Sequence, residues 1–137
     1  GSQSKGPILM AQIVALVDDL FFQMKMVETA KHVGVSLRAC TTVDALLGEV
    51  RAEQPRLVVI DLNARNDAAT GGGPLQAIQR LPTVAPGVAM VAYLSHLQKD
   101  LAEQARSAGC EQVMPRSVFT RDLPRMFADA KLQSETK

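Results

Sequence analysis

The chain has no tryptophan, one tyrosine and four phenylalanines, so aromatic residues make up only 4% of its 137 positions. That leaves few rings to sandwich a flat cofactor. Cysteine is equally scarce. Cys40 and Cys110 stand far apart, with no His or Cys at ligand spacing, which excludes a zinc cluster and a disulfide framework. Two ordinary thiols suit a reducing, cytoplasmic setting. The two histidines, His32 and His96, have no Ser, Cys or acid partner at a spacing that suggests a catalytic triad. No sign of charge dominates. Fifteen bases against fourteen acids give a formal charge of +1 without a basic cluster, which argues against nucleic-acid binding. No apolar run approaches a membrane span and no signal peptide is visible, so no membrane partner is expected.

What is present is an apolar share of 47% with 21% charged residues, the balance of one globular domain. Its expected limits are residues 8–131. Residues 1–7 read as a cloning remnant with a frayed terminus, 132–137 as a disordered tail, and no output domain is expected after Lys131.

Along the chain, β and α patterns alternate five times. Gln12 to Val17 reads as a strand. Phe22, Met26, Ala30 and Val33 form one helical stripe that Gly34 ends in a left-handed cap. Val35 to Cys40 gives a short strand. Thr41 and Thr42 are candidate caps for a helix whose inner face is Val43, Leu46, Leu47 and Val50, and Gln54-Pro55 closes it. Leu57 to Ile60 is an unbroken apolar run, as a strand buried on both faces requires. A Gly-rich surface loop follows. Pro74 starts a helix with Leu75, Ile78 and Leu81 inward, which Pro82 and Pro86-Gly87 are expected to break. Val88 to Leu94 is a strand. Ser95-His96-Leu97-Gln98 matches a capping box for a helix with Leu97, Leu101 and Ala105 inward. Glu111 to Met114 and a helix from Asp122 to Lys131 complete the series. This is α/β: a doubly wound, five-stranded parallel sheet in the flavodoxin-like order 2-1-3-4-5, helices on both faces.

Two of these strands end in acid. Asp18 and Asp19 follow the first, and Asp61 ends the third, at the carboxyl edge where such sheets bind and react. Three carboxylates in one crevice repel each other and suit a hard divalent cation. Each also has a structural reading: Asp19 as a helix N-cap, Asp61 as a strand-end residue that starts a turn.

Val17-Asp18-Asp19, Val58 to Asn63 and Ala108-Gly109-Cys110 through Arg116 resemble the receiver domain of bacterial two-component response regulators, over about Gln12 to Lys131. The resemblance implies that Asp18, Asp19 and Asp61, with the backbone carbonyl of Asn63, hold Mg²⁺. Asp61 would accept a phosphoryl group from a histidine kinase or phosphotransfer protein, and the domain would then switch a downstream signalling protein. It implies no enzyme of its own, and a monomer or weak homodimer. The docking face by analogy is roughly 98–131.

The second half of the pattern departs. By the resemblance, a hydroxyl after the fourth strand and a lysine after the fifth grip the phosphate, and here the hydroxyl's switch position falls on Ala92, Leu94 or Ser95. Ser95 is the candidate hydroxyl, and a helix cap is its other reading. Arg116 stands in place of the family's lysine, and a planar fork does not replace one ammonium conservatively; its other reading is a solvated surface arginine. Val113 replaces an aromatic, for which Tyr93 is the available substitute. The alternative is therefore a degenerate pseudo-receiver, a protein-interaction module independent of phosphate. Two other classes are weaker: a haloacid-dehalogenase-type phosphatase lacks its second acid at Asn63, and a flavin carrier would meet Asp18-Asp19 where its phosphate belongs.

Overall fold

The computed structural model describes residues 11–95 and 98–135, without the side chains of 132–135. Residues 1–10, which include the expected remnant, lie outside the described residues, as do His96, Leu97 and the last two positions. Five strands, β1 (Ile13–Leu16), β2 (Leu37–Cys40), β3 (Leu57–Asp61), β4 (Ala89–Leu94) and β5 (Gln112–Pro115), alternate with five helices. These are α1 (Leu20–Val33), α2 (Val43–Glu53), α3 (Pro74–Val84), α4 (Lys99–Ala108) and α5 (Arg116–Glu135). The sheet is parallel throughout in the order β2-β1-β3-β4-β5, as the alternation predicts. No helix among the described residues is long and apolar enough to cross a membrane.

The central strands carry apolar residues on both faces because both faces are covered. Val14, Leu16, Val58 and Ile60 pack against Leu46, Leu47, Ile78 and Leu81 of α2 and α3. Ile13, Ala15, Val59 and Val91 pack against Phe22 and Met26 of α1 and Phe119, Leu123 and Phe127 of α5. Thr42 caps α2 by accepting the Ala45 N–H at 3.1 Å, and all four expected inner residues of that helix are buried. Each such fully buried aliphatic side chain contributes about 1.5–3 kcal/mol of transfer energy.

The close of α2 at Gln54 is as expected, whereas several later boundaries differ from the sequence reading. Gln54 closes α2 in the left-handed region (φ 48°), where its own side-chain amide donates to the Val50 and Arg51 carbonyls. Pro82 lies inside α3, two residues from its end, where its missing N–H removes the helical donor to the Ile78 carbonyl and costs little. The Gly-rich loop closes on itself through paired bonds between Asp67 and Gly72 around one 3₁₀ turn. α5 starts at Arg116 rather than Asp122, because Phe119, Leu123 and Phe127 continue one buried stripe straight through Pro124. Its backbone stays helical to Glu135, past the expected end at Lys131.

Candidate functional site

The register that pairs Leu16 with Ile60 sets Asp18 and Asp19, just past β1, beside Asp61 at the end of β3. Asp61 is only 3% exposed. Its Oδ1 accepts the Asn63 N–H at 2.9 Å. Burial pushes its carboxyl above the ordinary value. The Asn63 and Asp18 N–H groups and the Arg116 guanidinium pull the other way, and the charge on Asp18 adds to the rise.

The two neighbouring acids are already engaged. Asp18 faces Arg65, whose Nη2 lies 3.1 Å from Oδ1, while its Nε and backbone N–H lie 3.4 and 3.0 Å from Oδ2. Asp19 is the N-cap of α1. Its Oδ1 accepts the N–H groups of Phe21 and Phe22 at 2.9 and 3.3 Å, and Oδ2 lies 3.5 Å from Arg116 Nη1. The helix-cap reading of Asp19 is thus realised alongside an ion pair.

Arg116 is no free surface arginine. Its guanidinium sits over the Phe22 ring, 5.0 Å from the centroid, and its Nε is buried without a hydrogen-bond partner among the described residues. The planar fork reaches Asp19 and stacks, which an ammonium would do poorly. Tyr93 pairs with Asp61 across β3 and β4 and is fully buried. Its ring stacks on Phe119 at 4.7 Å and tilts against Phe22 at 5.0 Å. Burial and the nearby Asp61 charge raise its phenol, while its hydroxyl has no hydrogen-bond partner among the described residues. It packs as a core ring.

Ser95 does not cap α4, whose N-cap is Gln98 without a side-chain bond. Its N–H and hydroxyl both donate to Asn63 Oδ1, at 2.7 and 3.0 Å, and Asn63 Nδ2 donates to Gln98 Oε1 at 3.0 Å. The candidate hydroxyl is therefore tied to the side chain of Asn63, not to Asp61. Of the other switch positions, Ala92 and Leu94 are both apolar and buried.

Of the predicted residues, the fold brings Asp18, Asp19, Asp61 and Arg116 to one edge, but it does not assemble the acids into a cation cage. Among the described residues, no group of three His, Cys, Asp or Glu is placed to hold a metal ion. Mg²⁺ demands near-octahedral oxygen ligation. Here both oxygens of Asp18 are taken by Arg65, and one oxygen of Asp19 by the α1 backbone. The residues as arranged do not fit the ion. Arg65, unnoticed in the sequence, is the decisive addition. It lies 47 residues from Asp18, and only the strand register reveals the pairing.

No family model matches the chain, and no curated protein matches its sequence. Solved structures do match in fold. A CheY-like receiver domain protein from Methanospirillum hungatei is similar at a TM-score of 0.74 and 14% identity, over 93% of this chain and 99% of that one. A receiver domain protein from Clostridium thermocellum gives 0.73 and 14%, over 92% and 98%. A response regulator from Burkholderia pseudomallei, solved with a phosphorylated aspartic acid, a calcium ion and citrate, gives 0.67 and 18%, over 88% and 73%. This chain has the fold of the response-regulator receiver domain.

Proposed function

We propose that this domain is a signalling module of receiver fold that works through protein contacts, without enzymatic turnover and without Mg²⁺ or phosphate. One observation carries the reading: the acids that would bind the cation are paired with the chain's own guanidinium groups, Arg65 on Asp18 and Arg116 on Asp19. The guanidinium charges supply in advance the neutralisation that a bound cation would bring. Burial of Asp61 supports the same conclusion, since an in-line nucleophile must be reached by its donor.

We put the partner's contact on α1. The exposed large hydrophobic residues among those described are Leu20, Phe21 and Met24, at 65, 84 and 56% exposure. They share one helical patch at the rim of the acidic pocket, and the Phe21 N–H is anchored by Asp19. An apolar helix face of a signalling protein is the complementary surface. The face expected by analogy, from α4 to α5, offers no comparable cluster.

A second reading keeps Asp61 as a phosphoacceptor served by a kinase or phosphotransfer protein. It rests on the position of Asp61 at the carboxyl end of the central strand, and on the 62% exposure of the Arg65 side chain that covers Asp18. Amide spectra recorded with Mg²⁺ and beryllofluoride, a phosphoryl mimic, separate the two. The first reading expects resonances near Asp61, Asn63 and Arg116 to stay in place; a new, saturable set of shifts there would reverse the order.

A further inference from the structure

At the amino-terminal edge of the sheet, at the opposite end of β3 from Asp61, the second half of α5 and the starts of β3 and β4 enclose a cleft of about 180 Å³. Its floor is apolar, formed by Leu57 and Val91 of the sheet. Met114 and Met126, both half-buried, form walls that can adapt to an occupant. The rim is charged. Arg125 is matched by Asp122 and Asp129 at 3.5 and 3.6 Å, so that part of the rim is neutralised. Arg56 is different. It is half-buried, lines the cleft and forms no ion pair among the described residues. Its backbone N–H is fixed to the Gln12 carbonyl at 2.8 Å, so the base of this cation is rigid.

A cleft whose lining is shared between these apolar residues and polar ones (Gln112 and the paired Arg125 and Asp129), with Arg56 the one lining cation that has no ion pair among the described residues, is complementary to a short chain that ends in an anion. We propose that this cleft binds a small amphiphilic carboxylate, with its hydrocarbon chain between the sheet and α5 and its head group on Arg56. The volume corresponds to about six groups of water size, at about 30 Å³ each. That suits the five-carbon tail of hexanoate, with the carboxylate left at the rim. The inference is independent of whether Asp61 accepts phosphate.

The test is an amide-resonance titration of the whole chain with hexanoate, and with acetate and hexan-1-ol as head-only and tail-only probes. Hexanoate is expected to give saturable shifts centred on Arg56, Leu57, Ala89 and Met126, with a dissociation constant in the millimolar range. Acetate and hexanol are each expected to bind about tenfold more weakly. Arg56→Gln should abolish the preference for hexanoate over hexanol. Ala89→Leu, at an exposed strand start, should block the mouth while the rest of the spectrum stays native. The proposal is overturned by the absence of saturable shifts at about 50 mM hexanoate, by equal hexanoate binding in Arg56→Gln, or by undiminished binding in a folded Ala89→Leu.

Discussion

Replacing Arg65 by alanine should make the domain more than twice as responsive to magnesium in its melting temperature. The substitution removes two side-chain bonds to Asp18, at 3.1 and 3.4 Å, from a pair whose side chains are 62% and 24% exposed. A pair that open to solvent is worth at most about 1 kcal/mol. For a chain of this length the loss lowers the melting temperature by about 4 °C. Asp18 is then free at the pocket mouth, and Mg²⁺ needs only one or two carboxylates with water to complete its shell. At about 10 mM Mg²⁺ and a dissociation constant near 1 mM, linkage returns RT ln 11, about 1.4 kcal/mol, or some 5 °C. The readout is far-UV circular dichroism melting, since there is no tryptophan to follow, with sodium chloride of equal ionic strength as control. In the parent, where Mg²⁺ must first displace Arg65 at a cost of about 1 kcal/mol, the site weakens to about 5 mM and the shift should be only about 2 °C. A parent that gains as much from Mg²⁺ as the variant, or a variant that gains nothing, would refute the reasoning.

Three further outcomes follow from buried polar groups. Burial raises the Asp61 carboxyl above 3.8, so the folded state keeps a proton that the unfolded chain releases. Stability then falls as the pH climbs from about 3.8 to the folded value, and levels off above it. Asp61→Asn should accordingly be more stable than the parent at pH 7 and equal to it near pH 3 in urea unfolding; a less stable variant at pH 7 would show that the carboxylate holds the fold together. Tyr93→Phe removes a buried hydroxyl that has no partner among the described residues and should gain about 1 kcal/mol, whereas a loss of that size would mean that the phenol is bonded to the adjacent Asp61. The Cys40 thiol is pushed up to about 11 by burial, and Cys110 is raised as well. Neither should alkylate in the native protein at pH 8, and rapid labelling before unfolding would contradict their burial.

The sheet was legible in the sequence because its signals are local. The apolar run from Leu57 to Ile60, the inner face of α2 and the left-handed cap at Gly34 each lie within one element. The acids at two strand ends could be paired once the strand order was inferred. What escaped depends on contacts between distant segments. Arg65 sits in a loop with no periodicity to betray it, and its role arises only when the register brings Asp18 alongside. Ser95 resembled a cap because Ser-x-x-Gln is a capping pattern, yet Asn63 competes for it from 32 residues away. The expected start of the last helix at Asp122 falls six residues late, because the turn before it is held by packing of Phe119 against Tyr93 and Phe22, a contact between distant segments.

The most direct measurement is intact mass after incubation with acetyl phosphate and Mg²⁺, on the parent and on Asp61→Asn. With Asp18 and Asp19 held by the chain's own arginines and Asp61 enclosed, both proteins should keep their starting mass. A phosphoryl adduct on the parent that disappears with Asp61→Asn would contradict this account.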